Sequence, residues 1–468
     1  MEPVIAKDVG KALREQRRLP TIALVAVVAT LAVGTAIAYQ PVLAAGMVFL
    51  FLLAIARSRE STVALWLGLR VLMFSGYVPV PLGEGMLVLI TVVALARRAA
   101  LGQPLRAPRS PVLWLLLLLL VGVNLAYFGL DPESLYYARE IFFENVLLVI
   151  LIANTESRGV RDGAVTAVGL VLAGIGVVAG LEWATGRPLL LNPGRVAYAD
   201  LAALQTFQGA SRLGSVLLNP DLLGAAMALG FVLWTGIALE GRGFRRWLAL
   251  IIAAGLLLVA FLTLSRTVFL GIPIGLGVLA IFALRKGRSS IGQATLAIAG
   301  IGVAIVAALV LVPEAWLRVT ISPTDPLRIG AYETALKIMA AHPFVGLGAG
   351  WSRYLALAEA YRVPDQYIPL AHPHNSYLEL GAMLGLPVAV VVVLLIGTAV
   401  VGAFRSWNAN AISAVPIACV IAVAVMALAG QFITIPVLSN LFWALWAVAG
   451  QGTNQILRSK TPLRRTVL

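Results

Sequence analysis

Apolar stretches of about 20 residues, each long enough to cross roughly 30 Å of hydrocarbon as a helix, follow one another along almost the whole chain with short polar joints between them. The pattern predicts helical spans at 20–39, 41–56, 61–80, 84–100, 111–129, 136–153, 162–184, 215–239, 246–263, 266–284, 291–312, 375–403, 411–430 and 434–456. That is fourteen spans, or twelve if one neighbouring pair folds into a re-entrant or interfacial hairpin. The two weakest spans are 61–80, which contains Arg70, and 136–153, which contains Arg139, Glu140 and Glu144. Charges at such depth either pair across a helix interface or line the route of a transported solute.

The joints assign an orientation. With the N-terminus in the cytoplasm, 24 of the 35 Lys and Arg residues fall on cytoplasmic segments and nine on outer ones, Arg70 and Arg139 completing the set. Every cytoplasmic joint is basic, and the outer ones before residue 185 have no Lys or Arg. The positive-inside rule then predicts both termini in the cytoplasm. The polar start (Lys7, Lys11, Arg14, Arg17, Arg18) leads into a full-length span and is expected to act as an uncleaved anchor.

Composition narrows the class. The 468 residues are 60% hydrophobic and 12% charged, whereas soluble domains are about 45–50% apolar and about 25% charged. A water-soluble fold is excluded. The net charge of +14 sits in topology-determining joints, so a nucleic-acid partner is not expected. The lone Cys419 rules out an intramolecular disulfide framework. The expected fold is all-α: one polytopic transmembrane helix bundle, 1–468, in contact with membrane lipids, of about 12–14 spans, with a single long outer segment at 313–374.

That segment has its own internal pattern. Asp325-Pro326 reads as an N-cap with proline at the first helical position, and Ile329, Tyr332, Leu336 and Met339 recur at helical spacing up to His342-Pro343. An amphipathic helix is predicted there. A tight turn follows at Gly346, Gly348 and Gly350, then a second short helix from Trp351 to Tyr361. With no strand before it, the glycine triplet is not a dinucleotide fingerprint. Ser376 and Glu379 have capping-box spacing, which puts His374 just outside the N-terminus of a span. The positive end of the helix dipole disfavours imidazolium there, and a neutral imidazole can take a proton from a hydroxyl.

All three histidines (His342, His372, His374) lie in this segment, and outer arginines gather at 187–212, Arg266 and 313–374. The outer segments have no Asp-x-Asp pair or His/carboxylate cluster at ligand spacing, so no metal and no other cofactor is expected. Arginine can neutralise a departing diphosphate bidentately where many glycosyl transfers use a divalent cation. Arg212, Arg266 and Arg328 stand where the head group of a lipid diphosphate would lie. The chemistry to which this pattern points is displacement at an anomeric carbon, with inversion. Trp351, Tyr354 and Tyr361 either stack on sugar rings or anchor at the interface.

Four stretches, in order over 212–387, carry a resemblance. They are Arg212-Leu213-Gly214-Ser215 through Asn219-Pro220-Asp221-Leu222-Leu223-Gly224, then Thr263-Leu264-Ser265-Arg266-Thr267. The third runs from Arg328 to Tyr332 with His342-Pro343-Phe344-Val345-Gly346-Leu347-Gly348-Ala349-Gly350-Trp351. The fourth is His374-Asn375-Ser376-Tyr377-Leu378-Glu379 with Leu384-Gly385-Leu386-Pro387. Together they resemble the O-antigen ligase and polymerase family of envelope glycosyltransferases, GT-C-like in architecture. Thr267 stands where that family often has glycine, and Asp221 where it often has asparagine.

The resemblance implies transfer of a glycan from undecaprenyl diphosphate at the periplasmic face of a bacterial inner membrane. The acceptor is a lipid A core or another glycan in a ligase, and a second lipid-linked repeat unit in a polymerase. It implies a catalytic histidine, matched by His374, and diphosphate-binding arginines, matched by Arg266 and Arg328 with Arg212 beside them. His372, Asn375 and Ser265 are expected to support them. Two other classes stay open at this point. A polysaccharide or lipid transporter would use Arg70, Arg139, Glu140 and Glu144, and a peptidoglycan-type polymerase would depend on an outer acidic residue such as Asp325 or Asp365.

Overall fold

The computed structural model describes residues 59–74, 80–154, 158–186, 206–207, 210–285, 326–363, 372–405 and 414–450. The predicted spans at 20–39, 41–56 and 291–312 lie outside them, as do Asp325 and Asp365. Within the described residues the chain is helical, apart from a two-residue antiparallel ladder joining Thr206–Phe207 to Ala210–Ser211. The order is α1 (Arg59–Phe74), α2 (Val80–Ala100), α3 (Pro111–Phe128), α4 (Pro132–Ala138), a π turn (Arg139–Phe143), α5 (Glu144–Asn154) and α6 (Arg158–Thr185). After the ladder come α7 (Pro220–Glu240), α8 (Gly243–Leu262), α9 (Val268–Arg285), α10 (Pro326–Ala341), α11 (Trp351–Ala358), α12 (Ser376–Leu384), α13 (Leu386–Arg405), α14 (Val415–Met426) and α15 (Pro436–Gly450).

Among the described residues, five stretches are long and apolar enough to cross a membrane: Pro111–Phe128, Ala164–Thr185, Pro220–Glu240, Gly243–Leu262 and Leu386–Arg405. The molecule is a polytopic helical bundle, and α7 is its axis. It is apolar around nearly its whole circumference, buried along most of its length, and packs on α6, α8, α9 and α14, as expected for an interior helix. By contrast, α3 buries Trp114, Leu117, Val121 and Asn124 and leaves Val112, Leu115, Leu119, Val123 and Tyr127 exposed at helical spacing. Such an apolar outward stripe suits contact with lipid, because every backbone polar group is satisfied inside the helix.

The intramembrane charges close on one another. Arg70 contacts Glu140 at 2.8 Å and Glu144 at 3.0 Å, and its Nε donates to Asn440 Oδ1 at 3.3 Å. Asn440 Nδ2 donates to Asn145 Oδ1 (2.8 Å), and Asn145 Nδ2 to Ser439 Oγ (2.8 Å). Arg139 pairs with Glu84 at 2.6 Å. The network joins α1, α5 and α15 as an ion-paired interface, which removes the sequence argument for a transport path. A π turn adds a residue to the helical repeat, and here it lies where Glu140 and Glu144 both reach Arg70.

Two local expectations change. The span predicted at 375–403 is two helices broken at Gly385. Pro387 has no N–H to continue the ladder, and the Met383 carbonyl accepts from Gly348 N instead (2.8 Å). Gly385 has φ 93°, and a Cβ there would collide with the Phe344 carbonyl. The glycine turn at 346–350, with positive φ at all three glycines, is therefore the C-terminal cap of α12: Leu347 N donates to Ala382 O (2.9 Å) and Leu386 N to Pro343 O (2.8 Å).

The capping box is also replaced. Asn375, not Ser376, caps α12, its Oδ1 accepting from Tyr377 N (3.0 Å) and Leu378 N (3.1 Å). Glu379 turns inward, fully buried, and accepts from Gln431 Nε2 (2.6 Å), Tyr137 (3.1 Å) and Trp351 Nε1 (3.3 Å). Burial with neutral donors on hand outweighs reaching back to the helix start.

Candidate functional site

The site residues come from four connections at one end of the bundle. The first runs into α7. A single 3₁₀ turn (Ser215–Leu217) starts at a left-handed residue, Ser215 (φ 47°), and is closed by another, Leu218 (φ 57°). Asn219 then caps α7, accepting from Asp221 N and Leu222 N, with Pro220 at the first helical position. That start fixes Asp221 in the first turn. Its Oδ1 is 2.7 Å from Arg212 Nη2, and its Oδ2 is 3.4 Å from Arg328 Nη2.

The second connection, Thr263–Thr267, joins α8 to α9. Leu264 is left-handed (φ 52°), Thr263 Oγ1 donates to Ala260 O (2.7 Å), and Ser265 N donates to Thr263 Oγ1 (3.2 Å). Ser265 Oγ donates to Asp221 Oδ1 (2.8 Å) and lies 2.8 Å from Thr267 Oγ1. Gly224 permits the approach, since a Cβ on it would lie 2.7 Å from that of Ser265. Arg212 Nε donates to Thr263 O (3.1 Å). Arg266, directly after Ser265, is half-buried at this junction.

Helix α10 supplies Arg328 and, one turn on, Tyr332; its buried face is Ala331, Thr334, Ala335 and Ile338, whereas Ile329 and Leu336 of the expected apolar stripe are exposed. The other two connections receive Arg328 and Tyr332. In His372–Asn375, His374 has φ 50°, its N–H donates to His372 Nδ1 (3.3 Å), and the two rings are 4.1 Å apart. The fourth connection, Ala427–Gly430 after α14, has no polar side chain but offers four carbonyls. Arg328 Nη1 donates to Ala429 O (3.5 Å) and Tyr332 OH to Leu428 O (3.2 Å), while Asn375 Nδ2 also donates to Leu428 O (3.0 Å). Ser376 N donates to Ala427 O (2.9 Å) and its Oγ to Gly430 O (3.0 Å). These carbonyls, left unpaired where a helix ends, tie α10 to the start of α12. Tyr332 OH also reaches His374 O (3.5 Å).

The electrostatics follow from this crowding. Burial pushes the His372 pKa well below its ordinary value, helped by His374 and the Arg328 charge and opposed by Asp221. A neutral His372 accepting on Nδ1 carries its proton on Nε2. Four of the five left-handed non-glycine residues among the described ones (Ser215, Leu218, Leu264 and His374) lie in the connections that carry the site. Non-glycine residues held in this region cost of order 1–3 kcal/mol each and persist where the surroundings over-determine them.

The fold thus brings together Arg212, Ser265, Arg328, His372, His374 and Asn375, with Arg266 adjoining Ser265. Sequence reasoning quoted Asp221 without a role, although a carboxylate nine residues after Arg212 in the first turn of a span is a legible pairing. It missed Ala427–Gly430 entirely. The outer aromatics mostly hold structure. Tyr354 is buried, Trp351 donates to Glu379, and Tyr361 OH lies 2.6 Å from His342 Nε2. Among the described residues, the one group of three close carboxylates is Glu84, Glu140 and Glu144, which belongs to the Arg70–Arg139 network.

Comparison with known proteins gives one positive finding. Residues 248–393 match the family model described as O-antigen ligase, a stretch from α8 into α13 that contains Arg266, Arg328, His372 and His374. No curated protein matches the chain. The matched part, under a third of a helical membrane protein, is thus similar to the O-antigen ligase family over the helices whose ends carry Arg266, Arg328, His372 and His374.

Proposed function

We propose that the protein transfers a glycan from an undecaprenyl-diphosphate donor to a hydroxyl acceptor at the periplasmic face of the inner membrane, in the manner of an O-antigen ligase. Both termini are then cytoplasmic. The His374 imidazole accepts the acceptor's hydroxyl proton as that oxygen attacks the anomeric carbon. The bond from that carbon to the diphosphate oxygen breaks, and undecaprenyl diphosphate leaves with the electron pair. Single displacement inverts the anomeric centre. Arg266 and Arg328, supported by Arg212, take up the charge that develops on the leaving group, which preorganised donors do most effectively at a dehydrated site. No metal or other cofactor enters the reaction.

The observation that carries this reading is the convergence of Arg328 and of Ser265, the residue before Arg266, on the Asp221 carboxylate, while Tyr332 of the same helix as Arg328 reaches the His374 and Leu428 carbonyls. The test is reconstitution of the full chain in lipid vesicles with an undecaprenyl-diphosphate oligosaccharide, EDTA, and either a lipid A core or a second lipid-linked unit as acceptor. Transfer to the core, with inversion, is expected. Transfer only to the lipid-linked unit would make the protein a polymerase with the same donor chemistry, and a requirement for added cation would overturn the proposed chemistry. Cysteine labelling within 313–374 from the cytoplasmic side alone would overturn the orientation.

A further inference from the structure

A lipid diphosphate bearing a sugar is a diester at each phosphorus, so it carries two negative charges. Around the start of α7 stand three arginines and one aspartate, two positive charges in excess. The excess matches the ligand, but the geometry does not share it equally among the arginines. Arg212 lies 2.7 Å from Asp221 Oδ1 and gives its Nε to Thr263 O, and its side chain is only 11% exposed. A guanidinium so tightly paired has most of its field cancelled at the distance of an approaching anion.

The same contacts describe a closed clamp. Arg212 holds the carbonyl of Thr263, at one end of the left-handed turn at Leu264. Asp221 holds the hydroxyl of Ser265, at the other end, and Arg212 and Asp221 hold each other. Leu213 N adds a bond to Leu262 O (3.4 Å). Arg266 is the next residue after that turn. We propose that Arg212 and Asp221 are a positioning pair that fixes the Ser265–Arg266 turn, and that the donor diphosphate is met by Arg266 and Arg328 without a contact from Arg212. The inference rests on the glycosyl-transfer reading and alters the role of one arginine within it.

The consequence is a sign reversal under double substitution. Without Arg212, the Asp221 carboxylate has lost its closest counter-charge, keeps only the more distant Arg328 (3.4 Å) and draws on the charge meant for the donor's phosphates, so R212Q weakens donor binding. Removing that carboxylate as well relieves the repulsion. If Arg212 itself gripped a phosphate, its loss would be felt equally whether residue 221 were Asp or Asn.

Full-length protein in lipid nanodiscs is titrated with undecaprenyl diphosphate, and separately with undecaprenyl monophosphate, by native mass spectrometry. The wild type is expected to prefer the diphosphate. R212Q should bind it about tenfold more weakly, and R212Q/D221N should return to within about threefold of D221N, the scale of coupling expected between contacting charges. S265A, which keeps all charges and loosens one arm of the clamp, should weaken binding a few-fold and keeps the test open if R212Q does not fold. A double variant about tenfold or more weaker than D221N, an R212Q protein indistinguishable from wild type, or an unaffected S265A would each overturn the positioning pair. A wild type without preference for the diphosphate would instead overturn the donor reading on which it rests.

Discussion

His374 combines a left-handed backbone (φ 50°) with the imidazole assigned as base, so two substitutions at one position separate backbone from side chain. His374→Ala and His374→Gly both delete the ring. Both keep the main-chain contacts, because His372 Nδ1 is bonded by the residue's N–H and Tyr332 OH reaches its carbonyl. Alanine retains the left-handed penalty of roughly 1–2 kcal/mol. Glycine escapes it but gains conformational entropy in the unfolded chain, a cost of about 0.5–1 kcal/mol. The glycine variant should therefore be the more stable of the two by roughly 0.5–1 kcal/mol, a difference on the order of 1–2 °C in melting temperature. Thermal unfolding in nanodiscs measures this, and the reconstituted transfer assay runs on the same samples. Both variants should be inactive. Equal melting temperatures, or a more stable alanine variant, would refute the strained turn, and turnover by either would remove His374 as the base.

Arg70→Met leaves Glu140 and Glu144 buried without their shared partner, and breaking such a pair typically costs about 3–5 kcal/mol. A melting temperature within a degree or so of wild type would show that the interface is not held by that pair. His372 has a lowered folded-state pKa, so the unfolded chain binds its proton more readily. Its contribution to stability is complete above the unfolded value of about 6.5 and is lost as pH falls from there toward the folded value. Thermal unfolding of wild type against His372→Gln across that window should show a fall that the glutamine variant lacks; parallel curves would contradict the assignment. Arg266→Lys should be severely impaired in transfer, since an ammonium cannot reproduce a bidentate fork, and near-normal kcat would mean that a point charge suffices.

The sequence by itself determined the class and most of the helices among the described residues, and it named the residues on which the proposed chemistry rests. Hydrophobic period and length are local properties, and in a membrane they are nearly decisive because the backbone must satisfy itself within each span. For that reason α3, α7 and α8 lie close to their predicted positions, and the helix at 326–341 was legible from its proline start and stop. Residue type also limited the site, since all three histidines fall in one outer segment together with outer arginines.

Only the tertiary structure decided which of them meet, and on what. The Asp221 carboxylate is shared by residues 9, 44 and 107 positions away, and no local pattern encodes that. Ala427–Gly430 acts through carbonyls alone, so its side chains give no signal. The capping box failed for a related reason: Glu379 has the right spacing to cap, but buried donors from the connection between α14 and α15, from α11 and from α4 compete for it, and they are brought near only by packing. Spacing along a chain specifies what a residue can reach in its own helix, whereas the partner it takes is set by which other helices are pressed against it.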